Sequence, residues 1–257
     1  MIESRDQMGN TIRTPEHPKR IVSLVPSLTE SLFDLGLDDE IVGITEYCVL
    51  PKDKVAGRVK VGGTKQFRFG VIDGLRPDLI FGNKEENYPE GIRRLREKYP
   101  VWVSDVAAIE DALALIKTMG RLVNRSANAE RLIGEIETAL DDLGPFSPLN
   151  AAYLIWKDPY MAAGGDTFID DMLRKCGLIN IFENKSKYPR ITLDELQGAR
   201  VILLSSEPYP FAASDVETLK REYPDRHVRL VDGAMFSWYG SRMRYAAAYF
   251  KGLRDLI

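Results

Sequence analysis

The sequence predicts an α/β fold of two similar lobes joined by one long helix, and three observations carry that expectation. Short apolar runs alternate with helix-period segments from Ile21 to the C-terminus, the pattern of strands covered by helices. A stretch of helical sequence without a strand signal separates a first set of alternations from a second. The same order of motifs also occurs twice. Ile72-Asp73-Gly74-Leu75 precedes Pro77-Asp78-Leu79-Ile80-Phe81 and later Leu95-Arg96-Glu97-Lys98-Tyr99-Pro100; Leu193-Asp194-Glu195-Leu196 precedes Arg200-Val201-Ile202-Leu203-Leu204 and later Leu219-Lys220-Arg221-Glu222-Tyr223-Pro224. That repetition favours two like lobes over one continuous sheet.

Strands are expected at 21–25, 41–45, 78–82 and 101–104, with helices at 29–35 and 90–98 and a short turn near 71–75 between them. In the middle, Ala112, Leu115, Ile116, Met119 and Leu122 recur at helical spacing, and Asn124 to Ser126 interrupts them. A second stripe, Ala129, Leu132, Ile133, Ile136, Leu140 and Leu143, ends at Gly144-Pro145. Ser126 is the expected N-cap. A helix of roughly 18 residues spans about 27 Å, long enough to run from one lobe to another. Strands at 151–156, 201–205 and 228–231 and helices at 167–175, 193–197, 215–222 and 242–256 complete the second lobe. Two such lobes leave a crevice at the carboxyl ends of their strands, where ligands of open α/β sheets bind.

Composition excludes several functions. The chain is 44% apolar and 28% charged, as in ordinary globular proteins, and its net charge of −3 gives no footprint for nucleic acid. No apolar run approaches the roughly 18 residues of a membrane span. Residues 1–20 read as a polar tail without the apolar core of a secretory signal, which leaves open a cytosolic protein or one whose signal has been removed. Cys48, in an expected loop, and Cys176, near a helix end, read as free thiols.

The residues also limit the chemistry. His17 and His227 are the only histidines; they lack ligand spacing and stand near no nucleophile, so neither metal ligation nor a triad is expected. P-loop, Gly-x-Ser-x-Gly, Cys-x-x-Cys and dinucleotide-binding motifs are absent. Gly62-Gly63 and Gly164-Gly165 read as turns. Glu85, Glu86 and Glu207 fall at strand ends, where carboxylates contact a ligand, form salt bridges or act as acid and base. Tyr47, Trp156, Tyr160, Tyr188, Trp238 and Tyr239 fall in loops at or after strands, unlike Phe33 and Phe81 inside elements. They fit a cleft that stacks on a large flat ligand.

Several stretches resemble a known family, the helical-backbone substrate-binding proteins of ABC importers for vitamin B12 and iron–siderophore complexes. The segment Pro18-Lys19-Arg20-Ile21-Val22-Ser23-Leu24-Val25-Pro26-Ser27-Leu28-Thr29-Glu30 looks like the family's first strand and helix entry. Leu75-Arg76-Pro77-Asp78-Leu79-Ile80 is similar to its repeated Leu-x-Pro-Asp-Leu-Val motif. Gly165-Asp166-Thr167-Phe168-Ile169 and Trp238-Tyr239-Gly240-Ser241-Arg242 resemble second-lobe segments. The resemblance implies two Rossmann-like lobes, 1–122 and 148–257, joined by a backbone helix within 123–147. It also implies an extracytoplasmic protein that carries a corrinoid, haem or ferric siderophore to a permease, with no cofactor of its own.

Tyr47, Trp156 and Tyr188 match aromatic cleft positions of the family, while Thr64 and Asn83 stand where B12-binding members have tryptophans. Of the two acidic residues that dock onto permease arginines, Asp194 occupies the second-lobe position. Gly70 stands at the first, with Asp73 three residues on. The expected ligand contacts are Pro26, Tyr47, Thr64, Glu85, Trp156, Tyr160, Tyr188, Glu207, Trp238 and Arg242. Two other readings stay open at this point: a cytosolic carrier or sensor of the same fold, and a hydrolase or chelatase using Glu85, Glu86 and Glu207.

Overall fold

A computed structural model describes residues 1–257. The chain divides into two compact units, residues 1–105 with 110–135, and residues 106–109 with 136–257.

The first unit opens with a hairpin, β1 (Ile2–Arg5) and β2 (Thr11–Thr14), followed by β3 (Ile21–Ser23), α1 (Pro26–Asp34), β4 (Ile41–Ile44), α2 (Lys52–Val55) and β5 (Val59–Lys60). A two-residue hairpin, β6 (Gly62–Gly63) and β7 (Gln66–Phe67), leads to α3 (Phe69–Leu75), β8 (Leu79–Asn83), α4 (Pro89–Arg96) and β9 (Val101–Ser104). Helices α5 (Ile109–Leu122) and α6 (Ser126–Asp141) follow. The main sheet is parallel, in the order β5-β4-β3-β8-β9. From β3 the chain winds outward to β4 and β5, then returns to the other side of β3 for β8 and β9. The loops after β3 and β8 therefore diverge, which opens a crevice at that point. Ile21, Val22, Leu79, Ile80, Phe81 and Trp102 are buried, as strands covered on both faces must be.

The second unit contains β10 (Leu149–Trp156), β11 (Met161–Ala162), α7 (Phe168–Lys175), β12 (Leu178–Asn180), a 3₁₀ helix (Leu193–Gly198), β13 (Val201–Ser205), α8 (Ala213–Glu222), β14 (His227–Val231), α9 (Ala234–Ser237) and α10 (Met243–Arg254). Its sheet runs β11-β10-β13-β14. β12 pairs with the first half of β10 in parallel, and β11 with its last residues in antiparallel. Here the reversal lies between β10 and β13. The repeated motif is the same structural step in both units: α4 crosses from β8 to its parallel neighbour β9, and α8 crosses from β13 to β14.

Three expectations are corrected. The polar N-terminal tail is the β1–β2 hairpin, tied down by Arg96 on the buried Asp6 carboxylate at 2.6 Å and by the Gln7 N–H on Val103 O at 3.2 Å. Its inward residues include Ser4 and Thr14, so the alternation carried little hydropathy contrast. Ser126 is the first helical residue rather than the cap; Arg125 O accepts the first helical N–H, from Ala129, at 3.0 Å, and α6 has 16 residues. The helix expected at 193–197 is a 3₁₀ helix.

Candidate functional site

In the first unit, Pro26, Tyr47 and Glu85 follow the carboxyl ends of parallel strands, and Thr64 follows the antiparallel β6. Pro26 begins α1 directly after the β3 loop; its fixed φ and missing N–H suit a first helical position. Tyr47, in the loop after β4, is 61% exposed although it is large and aromatic. Its ring lies against Gly63, where an added Cβ would come within 3.2 Å of Tyr47 Cε2. Thr64 is in the β6–β7 turn. Glu85 follows β8, and its backbone O accepts from Lys65 Nζ at 2.6 Å.

Asn87 ties these loops together. Its Oδ1 accepts the Asn83 N–H at 2.9 Å, and its Nδ2 donates to Leu24 O at 3.2 Å and Thr64 O at 3.1 Å. Asn83 is buried beneath them. Its Oδ1 accepts the N–H groups of Glu85 and Glu86, and its Nδ2 donates to Ser104. Asn83 therefore forms the floor of the loop and shapes it. Removal of the buried Asn87 amide, in Asn87→Ala, is expected to cost about 3 kcal/mol, because two buried groups and one half-buried group lose their partner. Asn87→Asp is expected to recover little, since it keeps the acceptor but turns an anion toward two carbonyls. Urea unfolding of the three proteins measures this; an Asn87→Ala midpoint equal to that of the parent would disprove it.

In the second unit, Trp156 is the last residue of β10, and Glu207 follows β13 across the reversal of strand order. Trp156 is 41% exposed. Its indole meets Tyr209 edge-on at 5.5 Å between centroids, and Tyr209 meets the buried Phe211 at 4.8 Å. Tyr160, half-buried, packs against the apolar core of this unit, and burial pushes its hydroxyl pKa up. Next to Trp156, Lys157 Nζ lies 2.7 Å from Asp215 Oδ1. That contact raises the Lys157 pKa, and with the Ala212 N–H it holds the Asp215 carboxyl below its usual range. Trp238 closes α9 and donates its Nε1–H to Glu207 Oε1 at 2.7 Å. Arg242 precedes α10, with its guanidinium 5.0 Å from the Trp238 ring centroid.

Tyr188 lies half-buried at the end of a segment stitched to the Gly164-Gly165 stretch. The Gly164 N–H donates to Lys187 O at 2.7 Å and the Gly165 N–H to Lys185 O at 3.0 Å. Gly165 lies in a turn, as the sequence suggested, with Gly164 in the loop before it. They allow two backbones to touch, and a Cβ on Gly165 would lie 1.8 Å from Glu183 O. Gly62 lies in β6 with φ of +100°, a conformation that favours glycine, and the turn after it is Thr64-Lys65.

The structure thus gathers Pro26, Tyr47, Thr64 and Glu85 at one end of the first sheet. It gathers Trp156, Glu207, Trp238 and Arg242 at the corresponding end of the second. Tyr239 is buried, edge-on to Phe168. Tyr209, Asn87 and Lys65 went unnoticed in the sequence; the first sits in a Pro-Tyr-Pro run that reads as a plain loop. Of the expected docking carboxylates, Asp194 is exposed on the 3₁₀ helix. Asp73 accepts from Lys98 Nζ at 2.8 Å and Tyr99 OH at 2.7 Å, which lowers its pKa. Gly70 is exposed.

Nothing nucleophilic emerges from the cysteines. Both are free and buried; burial pushes the Cys48 thiol up and the Cys176 thiol up to about 12. His17 is exposed, and burial lowers the His227 pKa. No group of three His, Cys, Asp or Glu side chains is placed to hold a metal ion. No helix is long and apolar enough to cross a membrane.

Comparison with known proteins agrees with this architecture. Over 188 residues, 70% of this chain and 68% of the other, the chain is 22% identical to a vitamin B12-binding protein of Vibrio parahaemolyticus. It is 23% identical to an uncharacterized ABC transporter substrate-binding lipoprotein of Bacillus subtilis, over 73% of this chain and 63% of that one. The fold matches a periplasmic haem-binding protein of Roseiflexus, with a TM-score of 0.80 at 20% identity over 93% of this chain and 98% of that one. These relatives are binding proteins, not enzymes. The periplasmic binding protein family model matches residues 21–206, and the chain belongs to that family.

Proposed function

We propose that this protein is the extracytoplasmic substrate-binding component of an ABC importer, and that its cargo is a corrinoid, haem or ferric-siderophore chelate. The observation that carries this reading is the placement of large exposed aromatic side chains at the carboxyl ends of both sheets. Exposing Tyr47 and Trp156 forfeits the burial that usually stabilises such residues. A flat, polarisable ligand recovers it by stacking. The proposed contacts are Pro26, Tyr47, Thr64 and Glu85 in the first unit, and Trp156, Tyr160, Tyr188, Trp238 and Arg242 in the second, with Glu207 bonded to Trp238. With Asn83 buried in the loop floor and Thr64 in a turn, the first unit offers Tyr47 as its main aromatic platform.

Asp194, exposed on the short 3₁₀ helix, is the proposed permease contact of the second unit. In the first unit Asp73, three residues after Gly70, is the proposed counterpart, though Lys98 and Tyr99 already hold it.

The test is intrinsic tryptophan fluorescence, titrated with cyanocobalamin, cobinamide, haemin and a panel of ferric siderophores and corrected for ligand absorption. Saturable one-to-one binding by one member is expected with Kd below about 1 μM, or about 8 kcal/mol. Failure of the whole panel to bind would sink the chelate assignment.

A further inference from the structure

The Glu207 carboxylate is engaged by neutral donors on its own unit. Oε1 accepts from Trp238 Nε1 at 2.7 Å and lies 2.7 Å from Ser237 Oγ. The Ser237 hydroxyl has a single proton and a second acceptor, Gly233 O, at 2.9 Å. The indole N–H can only donate, so the Trp238 bond is the directed one.

Glu207 is itself held in place. Ser205 Oγ donates to its backbone O at 2.5 Å and accepts from its N–H at 3.3 Å. Gly233 backs its stem: a Cβ there would lie 2.5 Å from Glu207 Cγ and 2.4 Å from Ser205 Oγ. The φ of Gly233 is −58°, a value any residue adopts, so close approach alone calls for glycine. On Trp238, the carboxylate holds the ring edge and the Arg242 guanidinium lies 5.0 Å from the ring centroid. An indole fixed at its edge and stacked on a cation has lost most of its rotamer freedom before any ligand arrives.

We propose that Glu207 is a positioning residue that fixes the plane of the Trp238 indole, and that Trp238, not the carboxylate, meets the cargo. The second half of this statement rests on the binding reading above; the first half does not. A carboxylate facing an anionic chelate would repel it, whereas one committed to an indole N–H adds orientation to an aromatic platform.

Protein labelled with ¹⁵N at the indole nitrogens, without ligand, tests the positioning directly. Trp238→Phe identifies the Trp238 signal. In the parent, that signal is expected downfield and slow to exchange. Glu207→Gln keeps an acceptor and is expected to keep a protected signal, moved part of the way upfield. Glu207→Ala is expected to exchange about tenfold faster or more, as an indole released to water does. Gly233→Ala retains the carboxylate but displaces it, and is expected to change the signal in the same direction as Glu207→Ala.

With the panel member that binds, Glu207→Gln is expected to stay within about threefold of parent affinity and Glu207→Ala to lose about tenfold or more. An unchanged indole signal in Glu207→Ala would overturn the positioning role. Equal affinity losses in Glu207→Gln and Glu207→Ala, with the Gln signal still protected, would mean that the carboxylate touches the cargo directly. If no panel member binds, the binding reading fails while the indole signals still decide the positioning role.

Discussion

Gly165→Ala is expected to lower stability by about 3 kcal/mol or more, a severe value for adding one methyl group. The new Cβ would stand 1.8 Å from Glu183 O, 2.7 Å from its carbonyl carbon and 2.9 Å from its Cα. All three are backbone atoms, so no rotamer change relieves the clash. Relief requires the 183–187 segment to move away, and that segment is pinned on both sides of the contact. The Gly165 N–H holds Lys185 O, the Gly164 N–H holds Lys187 O, and Asp166 accepts from Ser186 Oγ at 2.8 Å and from the Lys187 N–H. Underneath, Asn180 Nδ2 bridges Ala163 O at 3.1 Å and Asp170 Oδ1 at 2.8 Å. At about 2–4 °C per kcal/mol for a protein of this size, the thermal midpoint should fall by about 6–12 °C or more. Gly134→Ala is the control. Gly134 lies inside α6 with open space around its Cα, and alanine there should stabilise by about 0.5–1 kcal/mol through helix propensity. Scanning calorimetry of both variants checks the pair; a Gly165→Ala midpoint within 2 °C of the parent would show that the close approach is absent.

The two glycine pairs show where sequence reading ends. Nothing in Gly164-Gly165 reveals that two backbones touch there as well as turn, because the partner, Glu183, is distant in sequence. The parallel strands were legible for the opposite reason. Strands buried on both faces read as continuous apolar runs, so Val101–Ser104 and Val201–Ser205 stand where the runs placed them. The β1–β2 hairpin lacked that contrast, although Asp6, Gly9 and Asn10 between two short alternating runs were a usable turn signal. β6, β7 and β11 have two residues each, too few to show a period. In the candidate site, the exposed aromatics announced themselves by lying in loops. The groups that orient them did not: Tyr209 reaches Trp156, and Asn87 reaches Leu24 and Thr64, only through tertiary contact.

Trp156→Ala is expected to weaken binding of the cognate chelate by about 30-fold or more while changing the fold little. Along β10, Ala151 to Ile155 are buried and Trp156 emerges at the carboxyl end beside the strand reversal. The strand is held by its pairing with β13 and β12, none of which uses the Trp156 side chain. Removing the indole sacrifices the edge-on contact with Tyr209, worth about 0.5–1.5 kcal/mol, so the thermal midpoint should fall by no more than about 6 °C. For the ligand the loss is larger. An aromatic anchor held in a fixed orientation commonly contributes 2 kcal/mol or more, roughly 30-fold in Kd. Trp156→Phe retains a ring against Tyr209 and should recover part of the affinity. Trp102→Phe should behave in the reverse way. Trp102 is 1% exposed in the first-unit core, and its indole nitrogen has no hydrogen-bond partner, so its truncation costs packing and leaves affinity within about twofold. Isothermal titration and thermal unfolding of the three variants separate the two roles. Parent-like affinity in Trp156→Ala would remove Trp156 from the site and place recognition on Tyr47, Trp238 and their neighbours.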